Sequence, residues 1–578
     1  MSRILRINMN DLTVKFEEVP EKYKLLGGRG LTSAIVADEV PAACHPLGPN
    51  NKVVIAPGLV SGTSAPSSGR LSVGGKSPLT GTIKEANAGG IASQKIAHLG
   101  LKAIVVEGQT KDGRFYALKV DKNGASLTPA DHLAGKGMYQ VDEIVWKDFP
   151  NKPGVIGIGP AGEMRLASAG VSVNDPDNGP GRYAGRGGLG AVMGSKGLKA
   201  IIVDDKGGPG VQIANPELFK QEAKKLTEAL LSHPVTSQAL PNYGTAVLIN
   251  ILNEAGGLPT RNFSSGRFEG AAKVSGEMIN ELATKVRKGV GAVGHPCHPG
   301  CVIKCSNVFP KPDGSYHVAC LEYESDWAFG PNCGIDDLDV IAELIRISND
   351  VGLDTIEAGV TIAVAMDAGL IPFGDGKAAI DLLNEVGKGT PLGRIIGNGA
   401  AFTGKALGVT RIPVVKGQGM PAYEPRAVKG IGVTYATSTM GADHTAGYTI
   451  APEILAVGGK ADPFAVDKGE LSRAFQATTA FVDSTGYCLF IAFAILDSPS
   501  GFEGMVNSVN AMLGTDWTRD DVVKIGQQII KIEREFNERA GFTKEHDRVP
   551  EFMKYEKLPP HNVIFDVPDE ELDAVHGF

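Results

Sequence analysis

The run Ala184-Gly-Arg-Gly-Gly-Leu-Gly-Ala-Val-Met-Gly-Ser-Lys-Gly-Leu-Lys-Ala-Ile201 places glycines directly before an apolar strand. Its Gly185-x-Gly187-x-x-Gly190 spacing matches the dinucleotide-binding fingerprint, which requires a helix that crosses over to a parallel strand. Only about eight residues separate Gly190 from the strand, too few for such a helix. The run therefore predicts a glycine turn inside a strand-rich domain, without an NAD site.

A second segment, Gly157-Ile-Gly159-Pro-Ala-Gly162, has the same glycine spacing after an apolar strand. It continues as EMRLASAGVSVNDPDN, which is typical of another strand and a turn. A crossover helix is again missing from the pattern. Any use of NAD by this protein would therefore need a partner chain.

Two arginines accompany the glycines of the first run, Arg182 and Arg186. Guanidinium forks together with bare backbone amides suit phosphate oxygens. An earlier stretch, Gly69–Pro78, followed by Asn87-Ala-Gly89-Gly90, has a similar composition. Together these segments predict a site for a bulky anionic cofactor.

Composition excludes several other classes of protein. Glycine accounts for 75 of 578 residues, or about 13%, which is well above the roughly 7% usual in soluble proteins. The glycines do not recur at every third position, so the sequence is not collagen-like. The formal net charge is −8 and the basic residues form no run, which argues against nucleic-acid binding. The longest apolar stretch, Tyr487–Leu496, is far shorter than the ~20 residues of a spanning helix, and the N-terminus lacks a secretory apolar core. We expect a cytoplasmic protein without membrane association.

The predicted fold class is α+β, with a strand-rich N-terminal domain followed by two mainly helical domains and the cofactor at the domain interface. The linker Lys206–Gly210 and a weaker boundary near 404–414 give domains over 1–208, 209–412 and 413–578. β-branched runs between turns predict strands, with few helices among them, over Arg3–Met9, Leu12–Glu18, Lys52–Ala56, Arg70–Val73, Ala103–Glu107, Arg114–Val120, Val155–Ile158 and Lys199–Val203.

The character of the chain becomes helical after the linker. Asn215 and Pro216 form an N-cap and first-turn pair that opens the first of these helices. Helical periodicity predicts helices over 216–233, 336–350, 355–370, 377–386, 471–482, 503–513 and 519–539.

Three of the seven cysteines, Cys297, Cys301 and Cys305, fall on one loop rich in proline and glycine. Closely spaced thiolates with one distant partner are typical of a [4Fe–4S] site, and Cys488, after an Asp/Gly turn, is the candidate fourth ligand. Zinc is the alternative, with His295 or His298 completing a Cys3His set. Structural roles are expected for Cys44, Cys320 and Cys333.

A third group of residues offers proton chemistry without a nucleophile. Glu322-Tyr-Glu324 is expected where a strand gives way to a loop, and His444 follows Asp443 in a polar stretch of small residues. A glutamate and a histidine that converge on a cofactor cavity would form a general acid/base pair, with pKa values that burial moves towards neutrality.

At this point the sequence resembles the tungsten-pterin aldehyde:ferredoxin oxidoreductase family, over almost the whole chain. The motifs that carry the resemblance occur in family order: GRLSVGGKSPLTG from Gly69, ANAGG from Ala86, IGPAGE from Ile158, the run 184–201, EYE from Glu322, GADH from Gly441 and DSTGYC from Asp483.

The resemblance implies two metallopterins that hold one tungsten, with molybdenum as the chemical alternative, beside a [4Fe–4S] cluster. It implies cluster ligands Cys297, Cys301, Cys305 and Cys488, and a Mg²⁺ ion that bridges the pterin phosphates through the carbonyls of Asn87 and Tyr183. The residues that it assigns to the pterins and phosphates are Arg70, Asn87, Gly89, Arg182, Tyr183, Gly185, Arg186, Asn349, Leu353, Asp354 and Asp483.

The implied reaction is oxidation of an aldehyde to a carboxylic acid. His444 would donate a hydrogen bond to the carbonyl oxygen, and Glu322 or Glu324 would take a proton from water. Electrons would leave through the cluster to ferredoxin or a ferredoxin-like subunit, with a separate flavin or NAD subunit as a further partner. We expect an oligomer.

The sequence departs from the family pattern in three places. The cysteine spacing is C-x3-C-x3-C where the family shows C-x2-C-x3-C, and Asn349 replaces an aspartate of the pterin-binding turn. Glu343–Arg346 lacks the E-x-x-H pattern of an interface iron, so we expect that iron to be absent. Two other functions stay open: a reductive subunit such as that of benzoyl-coenzyme A reductase, with Cys320 as a tungsten ligand, and a catalytically silent iron–sulfur subunit.

Overall fold

The N-terminal third of the chain contains two six-stranded sheets. A computed structural model describes residues 2–149, 151–177 and 179–577. The strands of this third are β1 (Arg3–Asn8), β2 (Thr13–Glu18), β3 (Val53–Pro57), β4 (Leu71–Lys76), β5 (Ile83–Ala88), β6 (Leu101–Glu107), β7 (Tyr116–Asp121), β8 (Gly124–Pro129), β9 (Gly154–Gly157), β10 (Val171–Asp175), β11 (Gly179–Ala184) and β12 (Leu198–Val203).

Both sheets are mixed. The first has the order β2-β1-β6-β3-β4-β5, and the second has the order β11-β10-β9-β12-β7-β8. β1 runs parallel to β6 and β12 runs parallel to β7, while the other pairs are antiparallel. β9, which carries the first glycine fingerprint, is antiparallel to both of its neighbours, so neither fingerprint opens a parallel crossover.

The glycines of the run 184–201 are needed for close backbone packing. Gly187 and Gly188 have φ values of 82° and 74°, which favour glycine. A Cβ at Gly190 would lie 2.2 Å from the carbonyl oxygen of Gly170, and one at Gly194 would lie 1.9 Å from that of Gly162. The short helix that follows the turn therefore packs directly on neighbouring backbone.

Helices dominate the rest of the chain, which confirms the predicted α+β class. The helices are α1 (Gly28–Glu39), α2 (Ala92–His98), α3 (Met138–Asp148), α4 (Pro160–Glu163), α5 (Leu189–Ser195), α6 (Pro216–Ser232), α7 (Leu240–Tyr243), α8 (Leu248–Ala255), α9 (Gly276–Glu281), α10 (Tyr323–Phe329), α11 (Leu338–Val351), α12 (Thr355–Asp367), α13 (Gly376–Lys388), α14 (Pro391–Ile396), α15 (Ala400–Leu407), α16 (Lys429–Thr437), α17 (Ile450–Glu453), α18 (Gly469–Thr485), α19 (Ala492–Asp497), α20 (Pro499–Leu513), α21 (Arg519–Arg539) and α22 (Asp569–Ala574).

Small strands complete the helical region. They are β13 (Ala292–His295), β14 (Ser306–Pro310), β15 (Tyr316–Ala319), β16 (Val414–Val415) and β17 (Gln418–Gly419). Among the helices of the described ranges, none combines the length and hydropathy that crossing a bilayer requires.

Side-chain caps begin α6 and α21, and the cap at Asn215 was predicted from the sequence. The Asn215 side chain accepts a hydrogen bond from the amide of Leu218 and begins α6. Thr518 and Asp521 form a capping box at the start of α21, whose bounds equal the predicted 519–539. The predicted domain boundaries remain a prediction.

None of the helices α1 to α5 of the N-terminal third was predicted from the sequence; the longest are α1 and α3. α1 begins at Gly28 and buries nine of its twelve residues, against β4 and β5 on one side and against α18 and α21 on the other. A helix that is covered on most sides lacks the polar face that marks an amphipathic pattern.

The prediction that Glu322–Glu324 lies where a strand gives way to a loop was wrong. β15 ends at Ala319, and Glu322 is the N-cap residue of α10.

Candidate active site

A deep cavity lies between the N-terminal sheets and the helical region. Its volume is about 350 Å³. All of the predicted site residues except Cys301 line it. The segments that the sequence singled out therefore meet in one place, although they are spread over more than 400 positions.

The cysteines come from two loops. Cys297, Cys301 and Cys305 lie between β13 and β14, and Cys488 follows α18. All are buried except Cys305, which is half-buried. A hydrogen bond from Cys301 lowers the pKa of the Cys297 thiol, whereas burial raises the pKa of Cys305 and of Cys488. Cys297 and Cys488, when ionised, would also raise the pKa of Cys305, so these three thiols lie close together.

Ser67 ties the two cysteine loops together. Its amide donates to the carbonyl of Gly300 at 2.9 Å, and its Oγ accepts from the amide of Val302 at 3.2 Å. Its carbonyl accepts from the amide of Cys488 at 2.8 Å. Backbone hydrogen bonds of one residue therefore fix the relative position of both loops.

The two histidines considered for zinc have different surroundings. His298 Nδ1 is 3.0 Å from Cys297 Sγ, and the ligand atoms of Cys297, His298 and Cys301 lie within 4.8 Å of one another. His295 instead contacts Asp175, with 2.9 Å between Nε2 and Oδ1. The zinc alternative therefore depends on His298.

Arg70, Asn87 and Gly89 lie beside the cysteine loop. Arg70 precedes β4, and its Nε donates to the Asn87 side chain on β5 at 2.5 Å. The amide of Gly90 donates to the carbonyl of Cys297 at 2.8 Å. A Cβ at Gly89 would lie 3.2 Å from Cys297 Sγ and 3.3 Å from Arg70 Nη1, so a side chain would crowd both groups.

Arg182 and Arg186 leave β11 and the following turn to enter the cavity. Arg182 Nε donates to Asp175 at 2.9 Å, and its Nη2 donates to Ser306 Oγ at 2.8 Å. Arg186 Nε donates to Asp354 at 3.1 Å, and its Nη1 donates to the carbonyl of Ala442 at 2.8 Å. Both guanidinium groups are buried and held in fixed orientations.

The last turn of α11 supplies Asn349, and the turn between α11 and α12 supplies Leu353 and Asp354. Asp354 Oδ1 caps α12 by accepting from the amide of Ile356 at 3.0 Å. Gly352 has a φ of 86°, and a Cβ there would lie 2.8 Å from the amide of Gly159. The first glycine fingerprint therefore packs against this turn. Asn349 Nδ2 is buried without a hydrogen-bond partner in the described part of the chain.

Tyr183 and Gly185 lie next to the same turn. The Tyr183 hydroxyl donates to the carbonyl of Asn349. A Cβ at Gly185 would lie 3.9 Å from Asp354 Cα. The predicted binding segments of β11 and of the α11–α12 turn are thus in direct contact.

His444 pairs with Glu324 rather than with Glu322. His444 Nε2 is 3.4 Å from Glu324 Oε1. Burial raises the pKa of Glu324 to about 8 and lowers the pKa of His444 to about 4. Near pH 7 both groups are therefore neutral, and the proton resides on the carboxyl group.

Glu322 has a different set of partners. Its Oε2 accepts from Thr245 Oγ1 at 2.9 Å, and its Oε1 accepts from Ser306 Oγ at 2.7 Å. Arg182 Nη1 is 3.5 Å from the same Oε1. Both oxygens of Glu322 are engaged, whereas Glu324 uses one oxygen for the amide of Ala422 at 3.0 Å.

Sequence reasoning missed a buried charge network on the wall of the cavity. Arg29 forms a bidentate pair with Glu533, at 2.9 and 2.8 Å, and its Nη1 is 3.5 Å from Asp483. Burial and the nearby Glu85 raise the pKa of Asp483 to about 8. The signal in the sequence was Lys84-Glu85, two charges in an otherwise apolar strand.

Lys84 belongs to the same wall. Its Nζ is 3.0 Å from Asp443 Oδ2. Burial alone would raise the pKa of Asp443, but the cations of Lys84 and Arg186 hold this pKa far below its ordinary value. Asp443 therefore stays ionised beside His444.

Cys320 packs in a small buried cluster with Val308 and Ala319, which agrees with the structural role predicted for it. It lines the cavity, and a Cβ at Gly181 would lie 3.1 Å from its Sγ. Its φ of 67° is in the left-handed region. Cys333, by contrast, is fully buried away from the cavity, as predicted, and Cys44 is half-buried in a loop.

Comparisons with known proteins identify the family of this chain. The family model "Aldehyde ferredoxin oxidoreductase, N-terminal domain" matches residues 4–205, and "Aldehyde ferredoxin oxidoreductase, domains 2 & 3" matches residues 221–574. A tungsten-containing aldehyde ferredoxin oxidoreductase of Thermococcus kodakarensis is 37% identical, over 96% of this chain and 92% of the relative. That of Pyrococcus furiosus is 36% identical over the same shares.

More distant relatives share the fold. The WOR-like subunit of an aliphatic sulfonate oxidoreductase from Pyrococcus furiosus is 25% identical over 98% of this chain and 92% of its own length. The active-site complex BamBC of benzoyl coenzyme A reductase superposes with a TM-score of 0.80 at 18% identity, over 100% of this chain and 93% of that one. The chain belongs to the aldehyde ferredoxin oxidoreductase family, which confirms the predicted family and makes the protein an oxidoreductase.

Proposed function

We propose that the protein oxidises aldehydes to carboxylic acids at a tungsten bis-metallopterin and passes two electrons through a [4Fe–4S] cluster to ferredoxin or a ferredoxin-like subunit. The observation that carries the proposal is the convergence of three of the four proposed cluster thiols, four arginines and the His444–Glu324 pair on one cavity, with Cys301 beside Cys297. The family and the tungsten-containing relatives support the same reaction.

The residues fit a large anionic cofactor. Bare backbone at Gly89 and Gly185 leaves room where a side chain would intrude, and buried guanidinium groups offer charge. Asn349 Nδ2 is a hydrogen-bond donor without an acceptor in the described part of the chain. A ring nitrogen or oxygen of a pterin could accept this hydrogen bond. Arg70, Asn87, Gly89, Arg182, Tyr183, Gly185, Arg186, Asn349, Leu353, Asp354 and Asp483 would hold the pterins and their phosphates, with Mg²⁺ on the carbonyls of Asn87 and Tyr183.

The thiols fit an iron–sulfur cluster. Four buried or half-buried cysteines of two loops meet at the cavity edge, and thiolates are the ligands that such clusters use. Arg70 would lie between the cluster and the pterins; its Nη1 and Cys297 Sγ are both next to Gly89, which supports this assignment. Cys297, Cys301, Cys305 and Cys488 would therefore ligate the cluster.

When bound, the tungsten centre supplies the two-electron oxidant for the aldehyde. His444 remains neutral at physiological pH, so one ring nitrogen can donate a hydrogen bond to the carbonyl oxygen. Glu324 accepts the proton of the attacking water in its ionised form. Glu322 acts as a positioning residue, because Thr245, Ser306 and Arg182 already occupy its oxygens.

Metal analysis of the purified holoenzyme tests this proposal. We expect about four iron atoms and about one tungsten atom per chain, together with aldehyde-dependent reduction of a viologen dye. Iron without tungsten or pterin would instead indicate a silent electron-transfer subunit. Metal content as expected but no turnover of any aldehyde would contradict aldehyde oxidation.

Replacement of Cys488 tests the proposed fourth ligand. We expect Cys488→Ala to lose the electron paramagnetic resonance signal of the reduced cluster and to lower viologen reduction by at least about 10–100-fold, the loss that even outer-shell changes cause at metal sites. Cys44→Ser is the control: Cys44 does not line the cavity, so this variant should keep the cluster signal. A normal cluster signal in Cys488→Ala would reject this ligand.

A reductive role has weaker support. Cys320 does line the cavity, but it lies beside Gly181 and Arg182 rather than beside His444. The benzoyl coenzyme A reductase structure is 18% identical and shows the fold alone. Aldehyde turnover with a viologen dye separates the two functions.

A further inference from the structure

A wall of aromatic rings extends from His444 along one side of the cavity. The Tyr423 ring is 5.9 Å from the His444 ring and the Tyr448 ring is 6.4 Å from it, centroid to centroid. Tyr448 continues to Phe493 at 6.1 Å, and Phe493 stacks on Phe490 at 5.7 Å. Tyr423, Tyr448 and Phe490 face the cavity.

The tyrosines of this wall offer ring surface rather than free hydroxyl groups. The hydroxyls of Tyr423 and Tyr448 bond each other at 2.8 Å. The hydroxyl of Tyr323, whose ring is 5.5 Å from that of Tyr423, donates to the carbonyl of Ala422 at 2.6 Å. Tyr423 and Tyr448 cross at 82°, the edge-to-face arrangement that aromatic rings prefer.

The same cavity is also lined by the apolar residues Leu248 and Leu489 and by the acidic residues Glu322 and Glu324. His444 itself lies between Glu324 and Asp443, with 3.4 Å and 3.9 Å between the nearest nitrogen and oxygen atoms. The arginines that line the cavity already have acceptors: Arg29 has Glu533, Arg70 has Asn87, Arg182 has Asp175 and Arg186 has Asp354. Because the proposed cofactor phosphates would also engage these guanidinium groups, the described lining residues leave no free cation for a carboxylate or phosphate on the substrate.

We propose that the substrate of this site is an uncharged aldehyde with a single aromatic ring, an inference that rests on the proposed function. The ring would pack against Tyr423 and Tyr448 while the carbonyl group faces His444 and Glu324. The overall step is ArCHO + H2O → ArCOOH + 2 H⁺ + 2 e⁻. The aldehyde C–H bond breaks, a C–O bond to the water oxygen forms, and the electrons reach the ferredoxin-type acceptor through the cofactors.

Steady-state kinetics of the holoenzyme with a viologen acceptor test the inference. We expect kcat/KM for benzaldehyde to exceed that for acetaldehyde by about tenfold or more, because burial of a phenyl group adds apolar contact. Glyoxylate, which carries a carboxylate, should be the poorest substrate. Equal values for benzaldehyde and acetaldehyde would overturn the inference and leave the proposed function standing. Failure of all three aldehydes would overturn both.

Inhibition by reaction products separates ring contact from intrinsic reactivity. Benzoate and cyclohexanecarboxylate have similar size and charge, but only benzoate offers a π face. We expect benzoate to inhibit at a concentration about 3–10-fold lower. Equal inhibition constants would show that the wall recognises apolar bulk and would overturn the aromatic assignment.

A pair of variants at Tyr448 assigns the preference to the wall. Tyr448→Leu should lower the ratio of kcat/KM for benzaldehyde to that for acetaldehyde by about 3–10-fold, whereas Tyr448→Phe should keep it. Because both substrates are measured on one preparation, the ratio does not depend on cofactor content. An unchanged ratio in Tyr448→Leu would contradict the inference, even if total activity fell.

Discussion

Glu324→Gln is expected to lower kcat for aldehyde oxidation by about 10²–10⁴-fold, the usual contribution of a positioned acid or base. Glutamine keeps the hydrogen bond to the amide of Ala422 but cannot accept the proton of water. The carboxyl group of Glu324 is buried, with 3.4 Å between its Oε1 and His444 Nε2. The effect should appear with metal and pterin content unchanged.

The pH profile of the reaction gives the same residue a second test. Burial raises the pKa of Glu324 to about 8, and a base acts only when ionised, so kcat/KM should rise with pH through about 8. Glu324→Gln should remove this limb. Glu503→Gln, on the exposed side of α20, should leave rate and profile as in the unaltered enzyme. A fully loaded Glu324→Gln enzyme with normal turnover would rule out the proposed base.

Arg29→Met is expected to destabilise the protein by about 3–5 kcal/mol, because it leaves the carboxylate of Glu533 buried without its partner. Glu533 is fully buried and accepts two hydrogen bonds from Arg29. The cations and hydroxyls around Glu533 keep its pKa low against the effect of burial. The midpoint of urea unfolding, followed by far-ultraviolet circular dichroism, measures the loss.

Two further variants test the origin of that loss. The double change Arg29→Met with Glu533→Gln should recover part of the stability, since no uncompensated charge remains. Lys377→Met, which breaks an exposed pair with Asp381, should cost less than about 1 kcal/mol. Equal unfolding midpoints for Arg29→Met and Lys377→Met would contradict the importance of the buried pair.

The sequence predicted much of the fold because its signals are local. Asn215 and the Thr518–Asp521 box mark helix starts through side-chain hydrogen bonds within one turn. The glycine run before β12 does form a tight turn, with Gly187 and Gly188 at positive φ, before the short helix α5. α1 was missed because burial on most sides removes the polar face that reveals a helix.

The candidate site was predicted as a set of residues, without the contacts between them. Motifs indicated that Glu322, Glu324 and His444 matter, but only tertiary structure gives the distance between Glu324 and His444 and the three partners of Glu322. Arg29 escaped notice because its partner Glu533 is 504 positions away. Pairings at such separation leave no periodicity or spacing in a single sequence.

The pairing of Arg29 with Glu533 also bears on how the enzyme matures. One wall of the cavity joins α1 to α21, so it exists only after the ribosome has delivered almost the entire chain. If the proposed cofactor binds Asp483, which is 3.5 Å from Arg29, the complete site would form only after α21 has been synthesised, and the Arg29–Glu533 pair would hold α1 and α21 together beside the cofactor.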